Sequence, residues 1–158
     1  MSAYSDGLRM LAGRELSVAQ VRDRLVDREH PPEEIDAAIQ KLLETGALDD
    51  RRVARAYART ASTVKGRGRL RVQQELHAMG IARDVVAEAL AETFADTDER
   101  AAIEKAIQKK LRGSGATAPR KLSMPERARL YQFLMRQGFT PAGISAALRR
   151  VGAAPSED

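Results

Sequence analysis

Apolar residues along this chain recur three and four positions apart, the spacing that lines one face of an α-helix, and no stretch alternates long enough for a strand. Leu8, Leu11 and Ala12 predict a short first helix stopped by Gly13. Ser17 and Gln20 form a capping-box pair opening a second helix, with Val18, Val21 and Leu25 inward. Pro31-Pro32 followed by Glu33-Glu34 opens a third, since proline fits the first turn and acids favour its positive end. Its stripe is Ile35, Ala38, Ile39 and Leu42, closed by Gly46. Asp49-Asp50 starts a fourth helix, expected to bury Val53, Ala56, Tyr57 and Val64. The fifth carries Val72, Leu76 and Met79 up to Gly80; the sixth carries Val86, Ala89, Leu90 and Phe94 from about Arg83. Asp96–Glu99 caps a seventh with Ile103, Ala106, Ile107 and Leu111, and 113–119 reads as a loop. A second capping box, Ser123 with Glu126, precedes Leu130, Phe133 and Leu134, and Gly138 ends that helix. Thr140-Pro141 begins the ninth, with Ile144, Ala147, Leu148 and Val151 inward.

These helices fall into three phrases. Val21, Leu25, Ile35 and Ile39 superpose without gaps on Val72, Leu76, Val86 and Leu90 at a shift of 51, and then on Leu130, Leu134, Ile144 and Leu148 at a further 58. The fold class expected is therefore all-α: three tandem three-helix, helix-turn-helix-like repeats over 1–48, 49–95 and 96–152, in an elongated, curved arrangement, with a disordered tail at 153–158.

Composition narrows the class. The 158 residues are 43% hydrophobic, 31% charged and 4% aromatic, and cysteine is absent, which excludes disulfide scaffolds, thiolate metal sites and cysteine nucleophiles. Charges interrupt Met1–Leu16, so no leader is expected there, and no apolar run approaches a membrane span. The expectation is a soluble cytoplasmic protein. The net charge of +5 is uneven: −3 over 1–48, +3 over 49–95 and +5 over 96–158. A basic body of this kind attracts polyanions, although a solvated Arg-rich surface has the same composition.

Three stretches carry a resemblance to a known family, and it gives the charge a meaning. Asp49-Asp-Arg-Arg-Val-Ala-Arg-Ala-Tyr57, Lys65-Gly-Arg-Gly68 and Val72-Gln-Gln-Glu-Leu-His-Ala-Met-Gly-Ile81 together are similar to the central motif of RecX regulatory proteins. Leu11–Leu25 and Gln132–Val151, with Gln137-Gly-Phe139, resemble that family's first and third units, so the likeness runs from about Gly7 to Val151. Val53 stands where an aromatic is usual, Gln20-Val21 where Glu-Leu is favoured, and Arg69 where proline often follows the second glycine. The resemblance implies a regulator that binds the RecA filament on DNA, lies in its groove, and inhibits ATP hydrolysis and strand exchange; with no coiled-coil heptad in the chain, a monomer is expected. It also implies weak, sequence-independent contact with single- and double-stranded DNA.

The residues offer candidate contacts, each with a plain structural alternative. Lys65, Arg67, Arg69 and Arg71 place four cations in seven positions around glycines that let a backbone approach phosphate; a solvated helix connection is the alternative. Lys109, Lys110, Arg112, Arg120 and Lys121 flank the 113–119 loop, and Arg149-Arg150 close the last helix, where a helix dipole attracts cations whatever the partner. Arg127, Arg129 and Arg136 lie on the eighth helix without a readable direction. Glu33, Glu34 and Asp36 could meet a basic filament surface, or serve only as caps. Tyr57 and Phe94 are expected in the core, and His30 and His77 are expected as ordinary surface histidines. No metal-ligand spacing, phosphate-binding loop or nucleophile–base pair appears, so no catalytic site, cofactor or metal is expected. Two competing readings remain: a RecA-independent helix-turn-helix-like DNA-binding module, and a helical-repeat adaptor for some other protein.

Overall fold

The computed structural model describes residues 1–113 and 121–151, and every regular element among them is a helix. These are α1 (Ala3–Gly13), α2 (Val18–Asp27), α3 (Pro32–Glu44), α4 (Asp50–Thr63), α5 (Arg69–Ala78), α6 (Arg83–Phe94), α7 (Glu99–Gly113), α8 (Met124–Gln137) and α9 (Pro141–Arg150). The 114–119 part of the expected loop and the expected tail lie outside the described residues. Both predicted capping boxes form in full: Ser17 Oγ accepts from Gln20 N while Gln20 Oε1 accepts from Ser17 N, and Ser123 and Glu126 do the same.

All twelve superposed positions are buried, the most exposed being Leu148 at 7%. The equivalence extends into the turns. Glu29, Gly80 and Gly138, related by the same shifts, all have positive φ (65°, 77° and 98°). The next amides, His30 N, Ile81 N and Phe139 N, return to the carbonyls of Leu25, Leu76 and Leu134 at 3.2, 3.4 and 3.3 Å. Each module's second helix thus ends in the same left-handed turn, whose following residue normally folds back onto the helix as an apolar plug. Ile81 and Phe139 are such plugs, 4% and 3% exposed.

Two stripes differ from expectation. On α1 the inward face is Ala3, Asp6 and Gly7, while Leu8 is 40% exposed and Ala12 faces solvent. A Cβ on Gly7 would stand 2.8 Å from Leu42 Cδ1, so the small residues let α1 lie close on α3 and displace the leucine outward. On α4 the buried face is Val53, Ala54, Ala58 and Ala61, with Tyr57 half-buried; Ala56 is exposed and Val64 is 75% exposed. Val53 keeps its expected place, the rest of the packed face is alanine, and Val64 falls just past the end of the helix.

The chain divides into two compact units. One comprises Met1–Arg59 and Gln73–Thr93; the other comprises Thr60–Val72 and the chain from Phe94 onward. In the first, Ala3, Leu16, Val21, Leu25, Ile35, Ala38, Ile39, Leu42 and Leu48 form one core. In the second, Ile103, Ile107, Leu122, Leu130, Leu134, Phe139, Ile144, Ala147 and Leu148 form another. Paired acids tie helix starts together in both. Asp49 accepts from Arg51 N and Arg52 N as the α4 cap, leaving Asp50 Oδ1 to accept from Val18 N at 2.9 Å. Asp98 Oδ1 accepts from Ala101 N at the start of α7, leaving Glu99 to accept from Thr140 N at 2.8 Å and Thr140 Oγ1 at 3.1 Å.

Candidate filament and nucleic-acid interface

The Lys65–Arg71 loop is a folded turn rather than a slack connection. Lys65 N donates back to Thr60 O at 3.2 Å and Arg67 N to Ala61 O at 2.9 Å, with Gly66 in the left-handed region (φ 65°). Gly68 is buried, and its N–H donates to Gln137 O at 2.7 Å; Leu70 N donates to Gly138 O at 3.0 Å. A Cβ on Gly68 would fall 2.6 Å from the Gly138 carbonyl, so this glycine serves a crossing of two backbones. At Gly68 the amide already has a carbonyl partner, so this glycine belongs to the crossing, while Gly66 has open space beside it.

The four cations sit differently. Lys65 and Arg69 are exposed, whereas Arg67 and Arg71 are half-buried. Arg71 Nη1 donates to Arg136 O at 3.3 Å, beside the Gln137 and Gly138 carbonyls that take the loop amides. Cations at the positive start of α5, which has no acid in its first turn, are unfavourable on their own. The negative C-terminal end of α8 compensates them.

Lys109 is exposed near the end of α7 and Lys110 and Arg112 on its last turn, and Lys121 is exposed just ahead of the α8 cap. Arg120 lies outside the described residues. Lys110 Nζ sits 4.7 Å from the Phe133 ring centroid, a cation–π contact. Phe133 and Arg136 are neighbours on α8 one turn apart, so the Lys110 cluster and the Arg71 loop border the same stretch of that helix. Arg129, at i−4 from Phe133, extends the row: exposed Arg129 and Arg136 flank the half-buried ring as one basic line. The direction of this line is not readable from the sequence; only the loop crossing reveals it.

Other cations are separate from this stretch. Arg150 Nε is 3.5 Å from Glu104 Oε1 on α7, and Glu104 is also held by Arg100. Arg149 is exposed on the last turn of α9. Arg127, on the same helix as the basic line, donates to Leu148 O and Val151 O (2.7 Å for the latter), closing the end of α9. Of the acids, Glu33 and Glu34 occupy the first turn of α3, and Asp36 pairs with Arg22 at 2.7 Å.

His77 is exposed as expected, but His30 is not an ordinary surface histidine. It occupies the plug position held by Ile81 and Phe139, its side chain is 11% exposed, and Nε2 donates to Asp6 Oδ2 at 2.8 Å. Arg28 Nη1 donates to Asp6 Oδ1 at 2.6 Å. The hydrogen bond from His30 holds the Asp6 carboxyl below its ordinary value; burial opposes this, and the Arg28 charge adds to it. The signal is present in the register: 30 aligns with 81 and 139. Tyr57 is half-buried, with its hydroxyl donating to Glu75 Oε2, and Phe94 is half-buried. No described helix is long and apolar enough to cross a membrane.

Comparison with known proteins places this arrangement. Family models described as the first and second three-helix domains of RecX match residues 3–42 and 49–90. The regulatory protein RecX of Halorhodospira halophila is 34% identical over 151 residues, covering 96% of this chain and 86% of that protein. That of Pelodictyon phaeoclathratiforme is 32% identical over 148 residues, covering 93% and 87%. The crystal structure of RecX from Lactobacillus salivarius shares the fold with a TM-score of 0.73 at 19% identity, over 94% of each chain. With both domain models matched and full-length relatives above 30% identity, the chain belongs to the RecX family of regulatory proteins.

Proposed function

We propose that this chain binds the RecA nucleoprotein filament on DNA and restrains its ATP hydrolysis and strand exchange, modulating recombination and DNA repair. The carrying observation is the likeness to regulatory proteins named RecX across almost the whole chain. The exposed arginines Arg129 and Arg136, with Lys110 over the Phe133 ring between them, support binding to a phosphate backbone of any sequence. The rival helix-turn-helix reading fares worse on chemistry. The third helix of each module would have to read bases, yet α3 opens on Glu33 and Glu34, α6 sets Asp84 directly beside Arg83, and the first turn of α9 carries no charge.

The test is the DNA-dependent ATPase of RecA titrated with this chain. Turnover should fall at well below one copy of the chain per RecA protomer; an unchanged rate on both preformed and assembling filaments overturns the proposal. On bare DNA, Arg129→Gln with Arg136→Gln should lower the log–log salt slope of binding by roughly one unit for each phosphate no longer neutralised.

A further inference from the structure

We propose that Val64–Leu70 together with Met135 is a protein-docking surface that takes an acidic, apolar-bearing segment of the recombinase rather than nucleic acid. The inference rests on the regulator reading and names the partner's chemistry at this one place.

Three observations converge. First, the loop exposes aliphatic side chains where a phosphate contact has no use for them. Val64 is 75% exposed, Leu70 39% and Met135 36%. Leu70 and Met135 adjoin the same turn, since Leu70 N donates to Gly138 O while Gly138 N donates to Met135 O. Apolar side chains interleaved with arginine and methionine are the composition of protein interfaces, whereas nucleic-acid interfaces are far more polar.

Second, the groups a phosphate would use are engaged elsewhere. The Gly68 and Leu70 amides are taken up by Gln137 O and Gly138 O, and the Arg71 guanidinium donates to Arg136 O. The exposed charges are Lys65 and Arg69, one at each side of the glycine turn. Two exposed cations among three aliphatics complement a segment carrying carboxylates beside apolar residues.

Third, the loop is already ordered by its returns to Thr60 O and Ala61 O, so docking costs little conformational entropy. The basic line of α8 remains as the polyanion contact, which divides the two partners between two surfaces.

The experiment compares the full chain with Val64→Ser/Leu70→Gln and Lys65→Glu/Arg69→Glu, each checked for unchanged helicity and melting. Capture on RecA–single-stranded DNA filaments is measured alongside anisotropy on the bare strand. The aliphatic variant should lose at least tenfold in filament capture with its bare-DNA affinity unchanged, and the charge reversal should also lose filament capture. Undiminished capture by either variant overturns the docking surface while leaving the regulator reading intact. An equal loss on filament and bare DNA overturns it in favour of a nucleic-acid contact. If the unmodified chain is not captured at all, the regulator reading fails and this inference falls with it.

Discussion

The start of α2 in one compact unit and the start of α5 in the other rest on equivalent turns, but different atoms fasten them. In the first, Ser17 Oγ donates to Met79 O at 2.6 Å, and a Cβ on Gly80 would stand 2.5 Å from Ala19 Cβ. In the second, the residue equivalent to Ser17 is Gly68, and its backbone amide reaches Gln137 O, the equivalent of Met79 O. There a Cβ on Gly138 would meet Arg71 Cβ at 2.3 Å and Arg71 N at 2.5 Å. One junction is side chain on turn; the other is backbone on backbone. A serine cap holds the helix off by the length of a hydroxyl, whereas glycine lets the main chains touch and leaves the cationic α5 start against the α8 carbonyls. The basic loop therefore gains its fixed geometry from a substitution that looks, in sequence, like flexibility.

The largest effect should come from Gly138→Ala. A positive φ and a collision with main-chain atoms together should cost about 3–4 kcal/mol in chemical denaturation, and Arg71→Gly should recover little of it. Gly80→Ala should cost about 2–3 kcal/mol, but its obstacle is one methyl group, so a double-mutant cycle with Ala19→Gly should show roughly 1 kcal/mol of recovery. Equal rescue at both sites would break the distinction between the junctions. Ser17→Ala, which removes a cap and a buried bond to Met79 O, should cost about 1–2 kcal/mol by the same measurement. Glu29→Gly should do the reverse: it relieves a left-handed glutamate and should stabilise by about 0.5–1 kcal/mol, seen as a higher Tm.

Acid sharpens the contrast further. Asp6 has a carboxyl lowered in the folded state, so between its folded and unfolded values the unfolded chain binds more protons. Its contribution is complete above the ordinary carboxylate value of 3.8 and is lost as pH falls through the depressed folded value. Melting curves over that acid range should show a step that Asp6→Asn removes.

The helices are legible wherever one residue type has one local job. Ser17 and Ser123 as caps, Gly80 and Gly138 as stops and the twelve recurrent aliphatics need no knowledge of neighbours, because caps and stripes are set within one or two turns of chain. Leu8 and Val64 mislead because a large apolar residue reads as inward even where small residues form the packed face, as on α1, or where the helix has already ended, as after Thr63. The candidate site is half legible. Its cations can be counted, but Arg71 and Arg150 turn to Arg136 O and Glu104, partners 65 and 46 positions away, and no local pattern encodes such pairings.

The sequence by itself determined the helical class, the three-fold register and the punctuation between helices, since these follow from periodicity and short-range hydrogen bonding. It also held the family likeness, written in residues of the central module. Tertiary structure alone decided which glycine is a crossing rather than a hinge, which histidine is a half-buried plug, and which cations are left facing solvent. Those outcomes depend on space and charge supplied by distant residues, and a helix face acquires an inside only once something packs against it.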